Sequence, residues 1–261
     1  MLAPFQPKPP AGSPPYLLAH RGISGKAPEN TLASFQLALD CDGIDMIELD
    51  VRLSKDEQVI VLHDRTLQRT TTGNGPADNY TLKEIKECDA GSWFHPSFAE
   101  ESVPTLAEVL ERVNKKRWVN IEIKASFFFR KKGGQLERRV LDTIYSAGYQ
   151  HHALVSSFNH DVLSTVRSMD KAIPVGVIYN FPHDFLKSPS NLTRHVGASV
   201  FVCAKNELTA SMLQDARRHD IAVYVYTLNS PREVERIKDM GVDGILSDNA
   251  DDIVGRVKKK R

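Results

Sequence analysis

The chain has 261 residues, 41% hydrophobic and 26% charged, with a formal net charge of +1, the makeup of an ordinary soluble globular protein long enough to bury a sizeable core. So even a balance supplies no global field for nucleic acid, and a membrane surface can be met only through a local patch. No stretch approaches the roughly 20 apolar residues of a bilayer span, and Cys41, Cys88 and Cys203 are far apart with no CxxC pair, which argues against a structural zinc site or disulfide framework and favours a reducing compartment.

The opening stretch MLAPFQPKPPAGSPPY holds six prolines and lacks the apolar core of a secretory signal. Residues 1–15 therefore read as an extended, poorly ordered tail and 16–261 as one domain, with the cytoplasm as the expected location. Tyr16 to Gly22 (YLLAHRG) is a buried strand with His20 and Arg21 at its end. Gly25 and Pro28 belong to a loop, and Asn30 or Thr31 caps a helix reaching about Cys41, whose Leu32, Phe35, Leu37, Ala38 and Leu39 suit packing on a sheet. Met46 to Arg52 (MIELDVR) is a strand carrying two carboxylates. Alternate side chains of an extended chain share a face, so Glu48 and Asp50 project together about 6 to 7 Å apart: a grip for one divalent cation, or simply an acidic strand end in solvent.

Leu53 to Gln58 is a polar turn too short for a crossover helix, so the apolar run Val59 to Leu62 folds back as a hairpin that ends in His63 and Asp64. Residues 65–80 read as a loop, Thr81 to Glu84 has capping-box spacing, residues 91–103 are irregular, and Pro104 to Val113 is helical in period. Beyond it strands and helices alternate. Strands are predicted at Trp118 to Lys124, His152 to Phe158, Pro174 to Tyr179, Ser199 to Cys203, Ala222 to Thr227 and, last, Gly244 to Ser247. Helices fall at Leu136 to Ala147, His160 to Met169, 190–197, Leu208 to His219 and Pro231 to Met240. Setting the hairpin strand aside, eight buried strands with helical connections predict an α/β fold, a (β/α)8 TIM barrel, with the hairpin and a small insertion (about 53–103) between barrel strands 2 and 3. An open doubly wound sheet is the alternative, but HRGISGKAPEN after the first strand is not the GxGxxG turn expected there.

In such barrels the working residues sit at the C-terminal ends of the strands. Those ends supply His20 and Arg21, Glu48 and Asp50, and Glu122 and Lys124, while the hairpin adds His63 and Asp64. Each has a structural alternative: His20 as a core histidine, Arg21 paired with Glu29, Glu122 paired with Lys124, Asp64 as a loop cap. Their convergence on one rim favours chemistry. Oxygen ligands without cysteine suit a hard cation, Mg²⁺ or Ca²⁺, and a hard cation beside an arginine and a lysine suits a phosphate ester. Two histidines can exchange the roles of acid and base, so metal-assisted phosphodiester cleavage is the chemistry inferred.

The motifs HRG (20–22), PEN (28–30), ELDVR (48–52), LHD (62–64), EIK (122–124) and GVDGILSD (241–248) together resemble the series of the glycerophosphodiester phosphodiesterases, in order, over about residues 16–253. The resemblance implies a TIM barrel that hydrolyses glycerophosphodiesters to glycerol 3-phosphate and an alcohol. It implies metal ligation by Glu48, Asp50 and Glu122 with Glu29 as a further candidate, acid and base roles for His20 and His63, and phosphate binding by Arg21 and Lys124. The short insertion looks like that of the compact cytoplasmic branch. Two positions depart from the pattern: Tyr226 stands before Thr227 where members commonly carry Trp, keeping an aromatic substrate wall of altered shape, and Ala125 replaces the proline usual after EIK. The loop that follows joins Phe127, Phe128 and Phe129 to three cations, suited to contact with an acyl chain or membrane, or to covering the barrel mouth. Two other functions fit the same fold: a phospholipase-D-like lyase that forms a cyclic phosphate from lysophospholipid or sphingolipid, and a noncatalytic binding protein, against which both histidines and all three carboxylates argue.

Overall fold

Short strands that are apolar on both faces need helices outside and their own side chains inside, and a closed parallel sheet provides both. The computed structural model describes residues 13–124 and 134–258. Most of the expected tail, and the loop of Phe127, Phe128 and Phe129, lie outside the described residues. In chain order the elements are β1 (Tyr16–His20), α1 (Leu32–Asp40), β2 (Met46–Leu53), β3 (Val59–Val61), α2 (Leu82–Lys86), α3 (Leu106–Val113), β4 (Trp118–Ile123), α4 (Gln135–Ser146) and β5 (Ala153–Ser157). They continue with α5 (His160–Met169), β6 (Val175–Ile178), α6 (Pro189–Val196), β7 (Val200–Ala204), α7 (Ala210–Arg218), β8 (Ala222–Tyr226), α8 (Pro231–Asp239), β9 (Gly244–Ser247) and α9 (Ala250–Val257).

The strand order is β1-β9-β8-β7-β6-β5-β4-β2-β3, and β1 also pairs with β2, which closes an eight-stranded parallel barrel with β3 left outside it. β3 runs antiparallel to the far end of β2, with Leu53 opposite Val59 and Val51 opposite Val61, so the expected hairpin forms. Helix starts are written locally. Thr31, Thr105 and Ser230 each accept the backbone N–H three residues on, and Thr81 closes the expected capping box with Glu84. The helix expected from Leu208 begins at Ala210 because Thr209 is its cap. One element was not anticipated. After β9 the chain makes α9, which buries Ala250, Ile253 and Val257 and lies against β1 and α8.

Three apolar clusters organise the interior. The largest lies between the strands and the surrounding helices. A second fills the barrel itself with Tyr16, Leu18, Met46, Trp118, Leu154, Val200, Tyr224 and Leu246 among others. Its tight spot is Gly244, where a β-carbon would fall 2.4 Å from Cδ1 of Tyr224; only glycine lets that ring cross the barrel. The third, built on Ile60, Leu62, Leu67, Ile85 and Val103, lies under the hairpin and gives the insertion its own small core. Among the described residues no helix is long and apolar enough to cross a membrane.

Candidate active site

Climbing the barrel interior, the side chains change from apolar to polar. Along β2 the residues Met46, Glu48 and Asp50 share a face, and along β4 Trp118, Asn120 and Glu122 do the same, because side chains alternate with period two. Parallel register sets His20 opposite Glu48, Glu48 opposite Asn120, and Asp50 opposite Glu122. Above the Met46 and Trp118 layer, Ser156 Oγ donates to Asn120 Oδ1 at 3.0 Å. Above that stand the three carboxylates, 2%, 0% and 7% exposed for Glu48, Asp50 and Glu122. One oxygen from each lies within 4.8 Å of the others.

Buried carboxylates need compensation. Arg21 Nε approaches Asp50 Oδ2 at 3.2 Å, and Lys124 Nζ lies 3.0 Å from Asp50 Oδ1 and 2.5 Å from Glu122 Oε1. These are charge pairs without hydrogen-bond alignment, since Asp50 Oδ1 and Glu122 Oε1 find no aligned donor. Asn30 Nδ2 donates to Asp50 Oδ2 at 2.8 Å, and the Arg21 backbone N–H donates to Glu48 Oε2 at 3.0 Å. Arg21 achieves this from the left-handed region, φ +57°, a conformation that a non-glycine residue adopts only where the surroundings enforce it. Burial and the Asp50 and Glu122 charges raise the Glu48 carboxyl well above its usual range. Burial, together with Asp50 and against the pull of Lys124, lifts Glu122 to about 7. Asp50 goes the other way: burial opposes ionisation, but Lys124 and Arg21 outweigh it. Three crowded hard-oxygen donors, two of them reluctant to ionise and two presenting oxygens without aligned donors, fit a divalent cation.

The histidines flank this cluster, each tethered through Nδ1. His20 Nδ1 meets Asp248 Oδ1 at 2.6 Å, with Nε2 3.9 Å from Glu48 Oε2. His63 Nδ1 meets Asp64 Oδ1 at 2.7 Å. Burial pushes Asp248 up, but the bond to His20 and further donors Asn229 and Ser24 hold it at about 2. Asp64 is held low chiefly by the Arg69 guanidinium. An ionised carboxylate only accepts, so Nδ1 carries the proton in both rings and Nε2 is left for exchange. Burial lowers the His63 pKa, which outweighs the Asp50 charge and favours its neutral form.

Glu29 belongs to a different set from the three metal-suited acids. Its carboxylate takes Arg21 Nη1 at 2.9 Å and both ends of Arg69, Nη1 and Nη2, at 2.8 Å. Arg69 also donates from Nε to Asp64 Oδ2 at 2.7 Å, so one guanidinium joins the partner of Arg21 to the partner of His63. Arg52 fixes the hairpin exit by donating to the His63 carbonyl from Nη2 at 2.6 Å. Beside Lys124 opens a cavity of about 290 Å³ lined by Arg52, Arg65, Glu122, Ser157, Phe158 and Asn159. Its aromatic wall continues from Phe158 to Tyr226, edge to face at 6.4 Å, with Lys124 Nζ 5.5 Å from the Phe158 ring centre.

His20, Arg21, Glu48, Asp50, His63, Glu122, Lys124 and Tyr226 thus converge on one rim. Asp248, Arg69 and Asn30 were not singled out in the sequence as supports of that set. Asp248 and Asn30 stand inside the GVDGILSD and PEN motifs, whereas Arg69 lies in a Thr-rich loop with no local signal.

The family model described as the glycerophosphoryl diester phosphodiesterase family matches residues 20–252. A glycerophosphodiester phosphodiesterase of Caldanaerobacter subterraneus is 34% identical over 93% of this chain and 98% of its own. Among solved structures, an Oleispira antarctica phosphodiesterase in complex with the product sn-glycerol-3-phosphate has a TM-score of 0.83 and 28% identity, covering 93% of this chain and 96% of that one. A glycerophosphodiester phosphodiesterase from Agrobacterium tumefaciens has a TM-score of 0.80 and 29% identity, covering 92% and 99%.

Proposed function

The chain belongs to the glycerophosphoryl diester phosphodiesterase family, and from that premise we propose that it hydrolyses glycerophosphodiesters to glycerol 3-phosphate and an alcohol at the rim cluster. It is a phosphoric diester hydrolase, as its relatives are. The observation that carries the residue assignment is the pair of histidines, each with Nδ1 on a carboxylate, at the rim that also gathers Glu48, Asp50 and Glu122.

In this reading Glu48, Asp50 and Glu122 hold one divalent cation, Mg²⁺ or Ca²⁺, with Glu29 committed instead to Arg21 and Arg69. The cation, when bound, neutralises charge on the nonbridging phosphate oxygens. Arg21 and Lys124 orient the phosphate and share that neutralisation. One histidine takes the proton of the attacking nucleophile through Nε2 while the other returns one to the departing alkoxide, so that water is consumed overall, each exchange worth roughly 10² to 10⁴ in rate. Asp248 and Asp64 keep both rings in the tautomer that this requires. The tethers also hold each imidazolium once it forms. Tyr226 and Phe158 wall the alcohol side. Three unpaired cysteines suit the cytoplasm, where we place the protein.

The decisive experiment assays purified protein on glycerophosphocholine, glycerophosphoethanolamine and glycerophosphoglycerol, following glycerol 3-phosphate before chelation, after it, and after readdition of Mg²⁺ or Ca²⁺. Release of glycerol 3-phosphate that chelation abolishes and metal restores is the expected result. Undiminished turnover by His20→Ala or His63→Ala protein would remove the acid and base assignment.

A further inference from the structure

The cavity beside Lys124, about 290 Å³ in volume, opens directly on the catalytic cluster, because Glu122 and Lys124 belong to both. Its size suits a head group of a few carbon atoms, and the rest of its charged lining is cationic. Arg52 and Arg65 line it together with Lys124, against the single carboxylate of Glu122. That carboxylate is already matched with Lys124 Nζ at 2.5 Å and is one of the three acids suited to a divalent cation. The charge left over in the cavity is therefore positive.

Arg52 spends its donors on carbonyl oxygens, from Nε and Nη2 to His63 at 3.0 and 2.6 Å and from Nη1 to Lys124 at 3.5 Å, and has no carboxylate ion pair among the described residues. Burial lowers its pKa; Asp50, Asp64 and Glu122 oppose that, and the neighbouring Arg65 charge adds to it. Two guanidiniums near enough to repel are relieved by an anion that both can face. Arg65 is held by its backbone, whose carbonyl accepts the Ala77 N–H at 2.9 Å while Thr66 bridges to Pro76. Its side chain is 49% exposed and meets Asp78 Oδ2 at 4.0 Å, beyond hydrogen-bond reach. The aromatic wall does not make the cavity a site for a quaternary ammonium. Lys124 Nζ already lies 5.5 Å from the Phe158 ring centre and takes the place such a cation would need.

We propose that this cavity selects alcohols that carry a negative charge of their own, a carboxylate or a phosphate, and that Arg65 sets the preference. The proposal rests on the phosphodiesterase reading above and on the alcohol side which that reading gives to Phe158. Overall, water adds across the bond from phosphorus to the alcohol oxygen. The hydroxyl stays on phosphorus, and the proton leaves with the anionic alcohol. Glycerol 3-phosphate is the product common to all such substrates.

The test uses full-length protein and two substrate pairs whose members differ by one anionic group: glycerophosphoethanolamine with glycerophosphoserine, and glycerophosphoglycerol with its terminal phosphate ester. Phosphorus NMR follows the loss of each diester. A charge-assisted contact with a half-exposed guanidinium should favour the anionic member of a pair by about tenfold in kcat/KM. Arg65→Gln should lose that preference while keeping its rate on glycerophosphoethanolamine, and Arg65→Lys should restore part of it. A preference in one pair alone identifies the anion as carboxylate or phosphate and supports the proposal. Equal wild-type kcat/KM within both pairs overturns it, as does an Arg65→Gln protein that keeps the preference or that loses rate equally on all four substrates. Should wild-type protein leave all four uncleaved, the phosphodiesterase reading fails, and calorimetry in chelator still decides the cavity. Glycerophosphoserine bound more tightly by wild type than by Arg65→Gln protein, with glycerophosphoethanolamine unchanged, supports it; equal binding of glycerophosphoserine by the two overturns it.

Discussion

Asp50 and Glu122 are register partners on adjacent parallel strands, and the ammonium of Lys124 lies against an oxygen of each, at 3.0 and 2.5 Å. A single lysine is therefore the nearest counter-charge for two buried acids. Replacing it as Lys124→Met should destabilise the metal-free protein by about 3 to 5 kcal/mol, the usual consequence of stranding a buried charge. Adding Glu122→Gln to that variant removes one stranded acid and should recover part of the loss. Urea unfolding of the three proteins in chelator checks both expectations.

Asn30 holds Asp50 Oδ2 at 2.8 Å from the loop before α1. Supports of this kind orient a metal-suited carboxylate, and losing one weakens metal affinity by about 10- to 100-fold. Asn30→Ala should show that shift in calorimetric titrations with Mg²⁺ and Ca²⁺, without any substrate present. Unchanged affinity would take Asp50 out of the ligand set or Asn30 out of its support.

Asp248 fixes the tautomer of His20 through a 2.6 Å contact. Asp248→Asn keeps the shape but offers an amide that can bind the wrong tautomer, so kcat should fall by about 10² to 10⁴ with a much smaller change in KM. Steady-state kinetics on glycerophosphocholine, with a near-ultraviolet circular dichroism spectrum to verify folding, reads the split.

Arg69 touches no residue assigned to the metal and yet binds Glu29 and Asp64 together. Arg69→Ala should loosen His63 and Arg21 at once, lowering kcat and raising KM, each by about tenfold or more. Lysine cannot reproduce a double fork, so Arg69→Lys should recover only one of the two effects. Full recovery by lysine would reduce the role of Arg69 to charge alone.

Asp89 organises the insertion. Its Oδ1 accepts the N–H groups of Gly91 at 2.7 Å and Ser92 at 2.8 Å, its Oδ2 that of Glu100 at 3.0 Å, and these bonds, Ser92 foremost, hold its pKa at about 2. A depressed carboxyl pKa contributes stability that is complete above the ordinary value near 3.8 and lost as pH falls through about 2. Proteolysis of residues 91–100 by pepsin should therefore accelerate between pH 4 and 2 in the wild type, and proceed fast at both ends of that range in Asp89→Asn.

Much of the candidate site was legible because barrel chemistry gathers at strand ends, and His20, Glu48, Asp50, Glu122 and Lys124 lie on or just beyond β1, β2 and β4, successive strands of the barrel. The hairpin was legible too, since the five polar residues of 54–58 cannot hold a crossover helix. What stayed hidden was partnership across the chain. Asp248 reaches His20 from 228 positions away, a pairing that depends on β9 lying next to β1. Glu29 was read as a neighbour of the rim, but its bonds to Arg69, 40 positions on, carried no local signal. α9 escaped although the barrel calls for it: with α2 in the insertion, α9 is the helix that follows the eighth barrel strand, and the reading stopped at that strand.

The insertion hangs from β3 by antiparallel pairing outside the barrel and rests on its own small core of Ile60, Leu67, Ile85 and Val103. Its interior could thus be lengthened, shortened or exchanged while the strand that carries Glu48 and Asp50 keeps its neighbours. Such remodelling must still return His63 to the rim, where Arg52 holds its carbonyl and Arg69 holds its partner Asp64. The hairpin thus separates the parts of the insertion beyond Arg69 from the strand that carries the buried acids.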